Sequence, residues 1–262
     1  MGWADNLIIS TDANVLLESN DVMKYINHRP LQGPFRADFG YNNLHYEIAG
    51  RIVENLSGQP YGDFVKSRIF DPLGMQRTFF TTRSDDADDV TLCYKTLDDV
   101  SSATITSPKL GNDGYGALSG GLRYTVTDLL KLYGSFLEGF NDQFGSRKTT
   151  SKGPPLKKLT HIMSGKIPID QPSKNEASYA FGWARAQLPG RLGQIGINPG
   201  LVHMPLVGKG TSSLVVFHQR SLPGTLTPAA LLPEVDVVVV VLANSLLTMW
   251  PTGSVNWLSR SS

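Results

Sequence analysis

The stretch that decides the fold runs from Phe35 to Thr78, FRADFGYNNLHYEIAGRIVENLSGQPYGDFVKSRIFDPLGMQRT. It reads as a turn carrying a tyrosine, one amphipathic helix, a shorter second helix and a Pro-Leu-Gly-Met stop. Leu44, Ile48, Ile52 and Leu56 recur every four residues with Ala49 and Val53 beside them. That spacing predicts an apolar helix stripe, with Asn43 as its cap and Gly58 as its end. Tyr61, Phe64, Val65 and Ile69 repeat the pattern, and Asp71-Pro72 stops it, because a residue before proline is pushed out of the helical region. Tyr41 and Asn43 stand two apart at the mouth of the first helix, so a phenol and an amide can point into one cleft.

A Tyr-x-Asn turn, a helix, a Ser-Gly, a second helix and PLGM-x-x-T together resemble the serine β-lactamase and penicillin-binding-protein superfamily, in particular its β-lactamase-related esterase and transesterase branch. The resemblance implies that Tyr41 is the general acid/base of acyl transfer and that Asn43 holds the substrate carbonyl side and a catalytic lysine. A tyrosine with its ordinary pKa near about 10 is a weak base and needs an adjacent cation for this work. Read without the resemblance, Tyr41 is a helix-entry aromatic and Asn43 a cap.

Working outward, 262 residues that are 40% apolar supply an ample core for one large domain or two small ones. A formal charge of +1 from nearly balanced acids and bases favours neither nucleic acid nor a membrane surface. The single cysteine, Cys93, excludes an internal disulfide and a cysteine-metal site, and its alternating context VTLCYKTL reads as a buried structural thiol. No cofactor or metal is expected. The N-terminal MGWADNLIIS has no basic region or long apolar core, so it does not read as a signal peptide. Val235 to Ala243 is shorter than the roughly 20 residues a bilayer span needs. These features place the chain, by default, among cytoplasmic proteins.

Asn20 to Ile26 reads as a short helix with Val22, Tyr25 and Ile26 inward. Four aspartates within Asp85 to Asp89 make a solvated loop, because they lack the alternate spacing and turn glycine of a calcium loop. Val90 to Leu97 and Ala103 to Thr106 read as short strands. In GYGALSGGLRYTVTDLLKLY, Gly114 to Tyr133, Thr125 and Asp128 form a capping box ahead of a helix that buries Leu129, Leu132, Tyr133 and Phe136. Gly120-Gly121 permits close backbone approach. Residues 141 to 174 hold seven Lys/Arg among thirty-four residues with many Gly, Ser and Pro, which predicts an exposed insertion around a short helix near Pro155 to Met163. His161 on it needs no function. Beyond Tyr179 the period shifts towards two, predicting strands at Tyr179 to Trp183, Ser213 to His218, Thr225 to Leu232 and Val235 to Ala243, the last a central strand covered on both faces. The fold class is α/β, a three-layer α/β/α arrangement with an antiparallel sheet, as a single domain over 1–262 with a mostly helical part at 1–174 and a sheet part at 175–262.

Enzymes of the resembled superfamily use a Ser-x-x-Lys, because one helical turn sets the lysine amine beside the serine it activates. No serine in this sequence has a lysine three residues later; Thr149 with Lys152 is the nearest match. The third motif of the superfamily, Lys-Thr-Gly or His-x-Gly, is met by His218-Gln219-Arg220, where Arg220 replaces a glycine that gives substrate close access to the strand. With both ends short relative to the superfamily, a sheet face stands uncovered and open to self-association. The reading is a β-lactamase-related serine hydrolase or acyltransferase homologue for small esters or amides, impaired by the missing nucleophile. Its alternatives are a non-enzymatic binding or scaffold protein that keeps the cleft, and a gene read without the segment holding Ser-x-x-Lys.

Overall fold

The structure, a computed structural model, describes residues 21–30, 33–34, 36–80, 90–97, 101–107, 110, 116–169, 174–192, 206–210 and 212–245. The aspartate-rich loop at 85–89 lies outside these residues. The helical part opens with α1 (Val22–Asn27), whose Val22 and Ile26 are buried against Leu44. Helix α2 (Asn43–Ser57) is capped one residue earlier than the sequence predicts: Asn42, in extended conformation, accepts from the His45 N–H at 3.3 Å. Gly58 closes it at φ +69°. The predicted stripe is only partly buried. Leu44 is fully buried, whereas Ile52 is 52% and Leu56 82% exposed, and Glu47 and Gly50 face inward instead. Four-residue steps drift about 40° each around a helix of 3.6 residues per turn, so a line through Leu44 leaves the core within three steps. Gly50 fixes the packed face, since a side chain there would run into Leu118.

Helix α3 (Tyr61–Val65) passes into a π-helical segment, Lys66–Phe70, and ends before Pro72 as predicted. Strands β1 (Cys93–Thr96) and β2 (Ser102–Ile105) pair antiparallel, and Cys93 is buried. After α4 (Ala117–Gly120), Thr125 caps α5 (Val126–Ser146) by accepting from the Asp128 N–H at 3.2 Å. The predicted capping box is half realised. The Asp128 carboxylate takes the Arg77 N–H and the Thr78 hydroxyl, each at 2.8 Å, and so clamps the end of the opening block to α5.

Residues 141–169 and 174 are mostly exposed or half-buried around one short helix, as expected, but three buried side chains anchor the stretch. Helix α5 continues to Ser146, buried Gln143 accepts from the Leu159 N–H at 2.8 Å, and Leu159 and Met163, in and just after α6 (Leu159–Ile162), are fully buried. A polar composition concealed three anchoring side chains.

Among the described residues six strands form one antiparallel sheet: β3 (Ile167–Pro168), β4 (Ala177–Tyr179), β5 (Ala184–Gln187), β8 (Leu214–Leu222), β9 (Thr225–Leu232) and β10 (Val237–Val240), in the order β10-β9-β8-β5-β4-β3. Strands β6 (Gly190–Arg191) and β7 (Leu206–Val207) pair separately. Tyr179 to Trp183 is not one strand but the turn between β4 and β5, with Gly182 at φ +82°. The β8–β9 hairpin closes on Pro223-Gly224 as predicted; Gly224 has φ +75°, and a side chain there would collide with Cys93.

One sheet face, with Val216 and Leu231, packs on Leu137, Phe140, Leu159 and Met163 of the α5–α6 region. The other carries Tyr179, Ala184, Ala186, Val215 and Phe217, with Phe39 and Tyr41 against them. Among the described residues the valine-rich strand stands at the sheet margin, not its centre. Val238 packs against the α5–α6 core, while Val237, Val239 and Val241 are 42%, 46% and 50% exposed. An apolar run longer than its covered part looks central in sequence because both alternating faces are valine.

Among the described residues no helix is long and apolar enough to cross a membrane, and no group of His, Cys, Asp and Glu is arranged to hold a metal ion.

Candidate active site

Tyr41 and Asn43 meet at the mouth of α2. Because Asn42 takes the capping position, the Asn43 side chain is available to accept from the Tyr41 phenol, at 3.4 Å. The Tyr41 ring lies in an aromatic nest, edge-on to Tyr179 with centroids 6.5 Å apart and 6.3 Å from Tyr46. Phe39 adds a further ring 4.9 Å from Tyr179.

The phenols of Tyr46 and Tyr179 are 2.9 Å apart, and either can donate to the other. Burial pushes both pKa values up, so both stay protonated at neutral pH; for Tyr46, hydrogen bonds from Tyr179 and the Gly182 backbone oppose the shift. Gly182 also hydrogen-bonds His218 through its backbone. The β4–β5 turn is therefore the shared partner of the α2 aromatics and of the third-motif histidine.

His218 occupies the middle of β8, and strand alternation sets it on the face of Val216 and Arg220, whereas Tyr41 packs on the face of Phe217 and Tyr179. The structure brings Tyr41 and Asn43 into direct contact, whereas His218 lies on the other face of β8 and is linked through Gly182 to Tyr46 of α2, not to Tyr41 or Asn43. Burial, reinforced by the Arg220 guanidinium, pushes the His218 pKa down to about 4, and its Nδ1 is buried with no partner among the described residues. At neutral pH this is an uncharged imidazole. It cannot supply the cation that would sharpen a tyrosine base.

Arg220 is held by contacts to one side of its strand. Its Nη1 donates to the Leu122 carbonyl at 3.2 Å and to the Tyr124 hydroxyl at 3.4 Å, with the guanidinium carbon 5.7 Å from the Tyr124 ring centre.

Glu47 is the residue the sequence reading missed. It sits one helical turn after Asn43, is fully buried, and its Oε1 accepts from the Leu118 N–H at 3.1 Å, the Ser119 N–H at 2.9 Å and the Ser119 hydroxyl at 2.9 Å. Oε2 is buried without a partner among the described residues, and burial pushes the carboxyl pKa up despite these bonds and Arg51. The signal was a glutamate early in the helix, on the side of α2 that the four-residue stripe did not use. Glu47 pins the α2 motif helix to the Gly120-Gly121 block.

Comparison with known proteins adds ancestry to this geometry. A family profile described as Beta-lactamase matches residues 2–260. The chain is 32% identical over 80 residues to penicillin-binding protein 4* of Bacillus subtilis, a match covering 30% of this chain and 17% of that protein. In structure it is similar to an octameric penicillin-binding protein homologue from Pyrococcus abyssi, with a TM-score of 0.65, 21% identity, and coverage of 88% of this chain and 44% of that one. It is also similar to a D-amino acid amidase from Ochrobactrum anthropi, with a TM-score of 0.63, 20% identity, and coverage of 93% and 61%. At these identities the structures support the antiparallel α/β fold, and the chain spans less than two thirds of each of these relatives.

Proposed function

Because the chain belongs to the β-lactamase family, we propose that it is a homologue of acyl-transferring hydrolases of small esters and amides, and that these 262 residues bind such a ligand without forming an acyl-enzyme. The observation that carries the reading is the junction at Gly182, where the Tyr41–Asn43 helix and the His218 strand share one backbone partner. The amidase and penicillin-binding descriptions of similar proteins favour amides as the ligand class.

Acyl transfer through serine needs a hydroxyl and a base one helical turn apart, and no Ser-x-x-Lys occurs in the sequence. Removing a nucleophile or its base costs a serine protease a factor on the order of a million in kcat. Purified protein incubated with a fluorescent penicillin and with p-nitrophenyl acetate should therefore show no added mass and ester turnover at the buffer rate. A stable adduct on one serine overturns the reading. Self-association belongs to the same proposal: Val237, Val239 and Val241 offer an apolar face beside a strand margin, and a structurally similar homologue is described as octameric.

A further inference from the structure

On the helix-facing side of β8, beyond His218, lies a second cleft of about 600 Å³ that includes none of Tyr41, Asn43 and His218 in its lining. Arg77, Arg123 and Arg220 line it, and no aspartate or glutamate does so among the described residues. Arg220 is held from one side, by the Leu122 carbonyl, the Tyr124 hydroxyl and the Tyr124 ring. Its Nη2 lies against Gly120, where an added Cβ would stand 3.7 Å away. Arg123 donates through Nη2 to Ser107 at 3.2 Å, and its backbone pairs with Phe79. Neither guanidinium meets a carboxylate among the described residues. Each is oriented by protein contacts through one nitrogen and keeps other N–H donors for a ligand.

From this geometry we infer that the cleft is a binding site for a phosphorylated small molecule. Forked guanidiniums on two separate segments, with the Thr225 and Thr227 hydroxyls and the Asn244 amide in the same wall, match an anion with oxygens in several directions better than a planar carboxylate. Phe79, Leu110, Leu222 and Leu242 supply apolar wall for an organic body, and the volume falls in the range of small-molecule pockets. The cleft shares Arg220 with the third motif but includes none of Tyr41, Asn43 and His218, so phosphate binding there is measured independently of acyl transfer.

Calorimetric titration with glycerol phosphate, inorganic phosphate and acetate at constant ionic strength tests it. Glycerol phosphate should bind saturably and more tightly than inorganic phosphate, and acetate should not compete. Arg123→Gln and Arg220→Gln should each weaken glycerol phosphate binding about tenfold or more, the loss expected when one charge-assisted fork is removed. Arg123→Lys and Arg220→Lys keep the charge without the fork; where a Gln variant fails to melt cooperatively, the Lys variant at that position decides, and it should show an intermediate loss. Inorganic phosphate binding as tightly as the ester would overturn the organic-ligand assignment, and acetate competing equally would overturn the phosphate assignment. The absence of saturable binding at millimolar ligand, or unchanged affinity in folded variants at both positions, overturns the site itself.

Discussion

Replacing His218 with glutamine should remove an acid-sensitive weakness from the fold. In the folded chain the imidazole pKa is pushed down to about 4 by burial and by Arg220, whereas an unfolded chain has the ordinary value of about 6.5. Between those values the unfolded chain binds a proton that the folded one refuses, so stability falls as pH falls, and the full penalty is reached below the folded pKa. Linkage gives almost no penalty at pH 7.5, about 1.4 kcal/mol at pH 5.5 and about 2.5 kcal/mol at pH 4.5, each an upper figure for a side chain that keeps some solvent contact. Set against a typical domain stability of about 5 to 15 kcal/mol, the loss is large enough to measure. Glutamine keeps an amide N–H for Gly182 and has no titration. Urea unfolding of both proteins at pH 7.5, 5.5 and 4.5 should therefore show the difference in unfolding free energy shifting towards the variant by these amounts. Parallel loss of stability in the two proteins across that range would refute the assignment of a buried, neutral His218.

Glu47→Leu should destabilise the chain by about 3 to 5 kcal/mol, because it strands two backbone N–H groups and one hydroxyl in a buried site, and Glu47→Gln should cost far less because an acceptor remains. The raised carboxyl pKa gives Glu47 a pH slope of the opposite sign to that of His218: the folded state holds the proton more tightly, so this contribution is present at acid pH and is lost as pH rises through the folded value. Thermal melts of Glu47→Gln across pH should lack that slope, and a Leu variant melting with the parent would show that the pin carries no load. For self-association, light scattering should give a mass above one chain for the parent and a lower one for Val239→Lys, which places a charge on the exposed valine face; equal masses remove that interface.

What the sequence made legible was local and periodic. The α2 and α5 helices, Gly58 and Gly224 as turn points, the β8–β9 hairpin and the buried thiol all follow from short-range rules that the structure obeys. The errors share a cause. Capping by Asn42 rather than Asn43, the burial of Gln143 and Leu159, and the marginal position of the valine strand depend on what lies across the fold, which a period along one chain does not encode. The candidate site was legible as residue types but not as connections, since Gly182 had no chemical signature and Glu47 stood on the polar side of a helix read as amphipathic.

Arg220 shows why those connections matter. In sequence it replaces an expected glycine; in the fold its guanidinium turns to the carbonyl of Leu122, two residues after the Gly120 backbone it lies against. Gly120 ends α4, and the first turn of α4 is where Glu47 anchors α2. The α2 motif helix, the Gly-Gly turn and the β8 strand are thus joined by one buried carboxyl and one oriented guanidinium. A change at Glu47 should accordingly be felt at Arg220 as altered geometry, whereas changing Arg220 leaves the three hydrogen bonds to Glu47 in place. That asymmetry separates the two roles: Glu47 anchors the helix that carries Asn43, and Arg220 ties β8 to the Gly120-Gly121 turn.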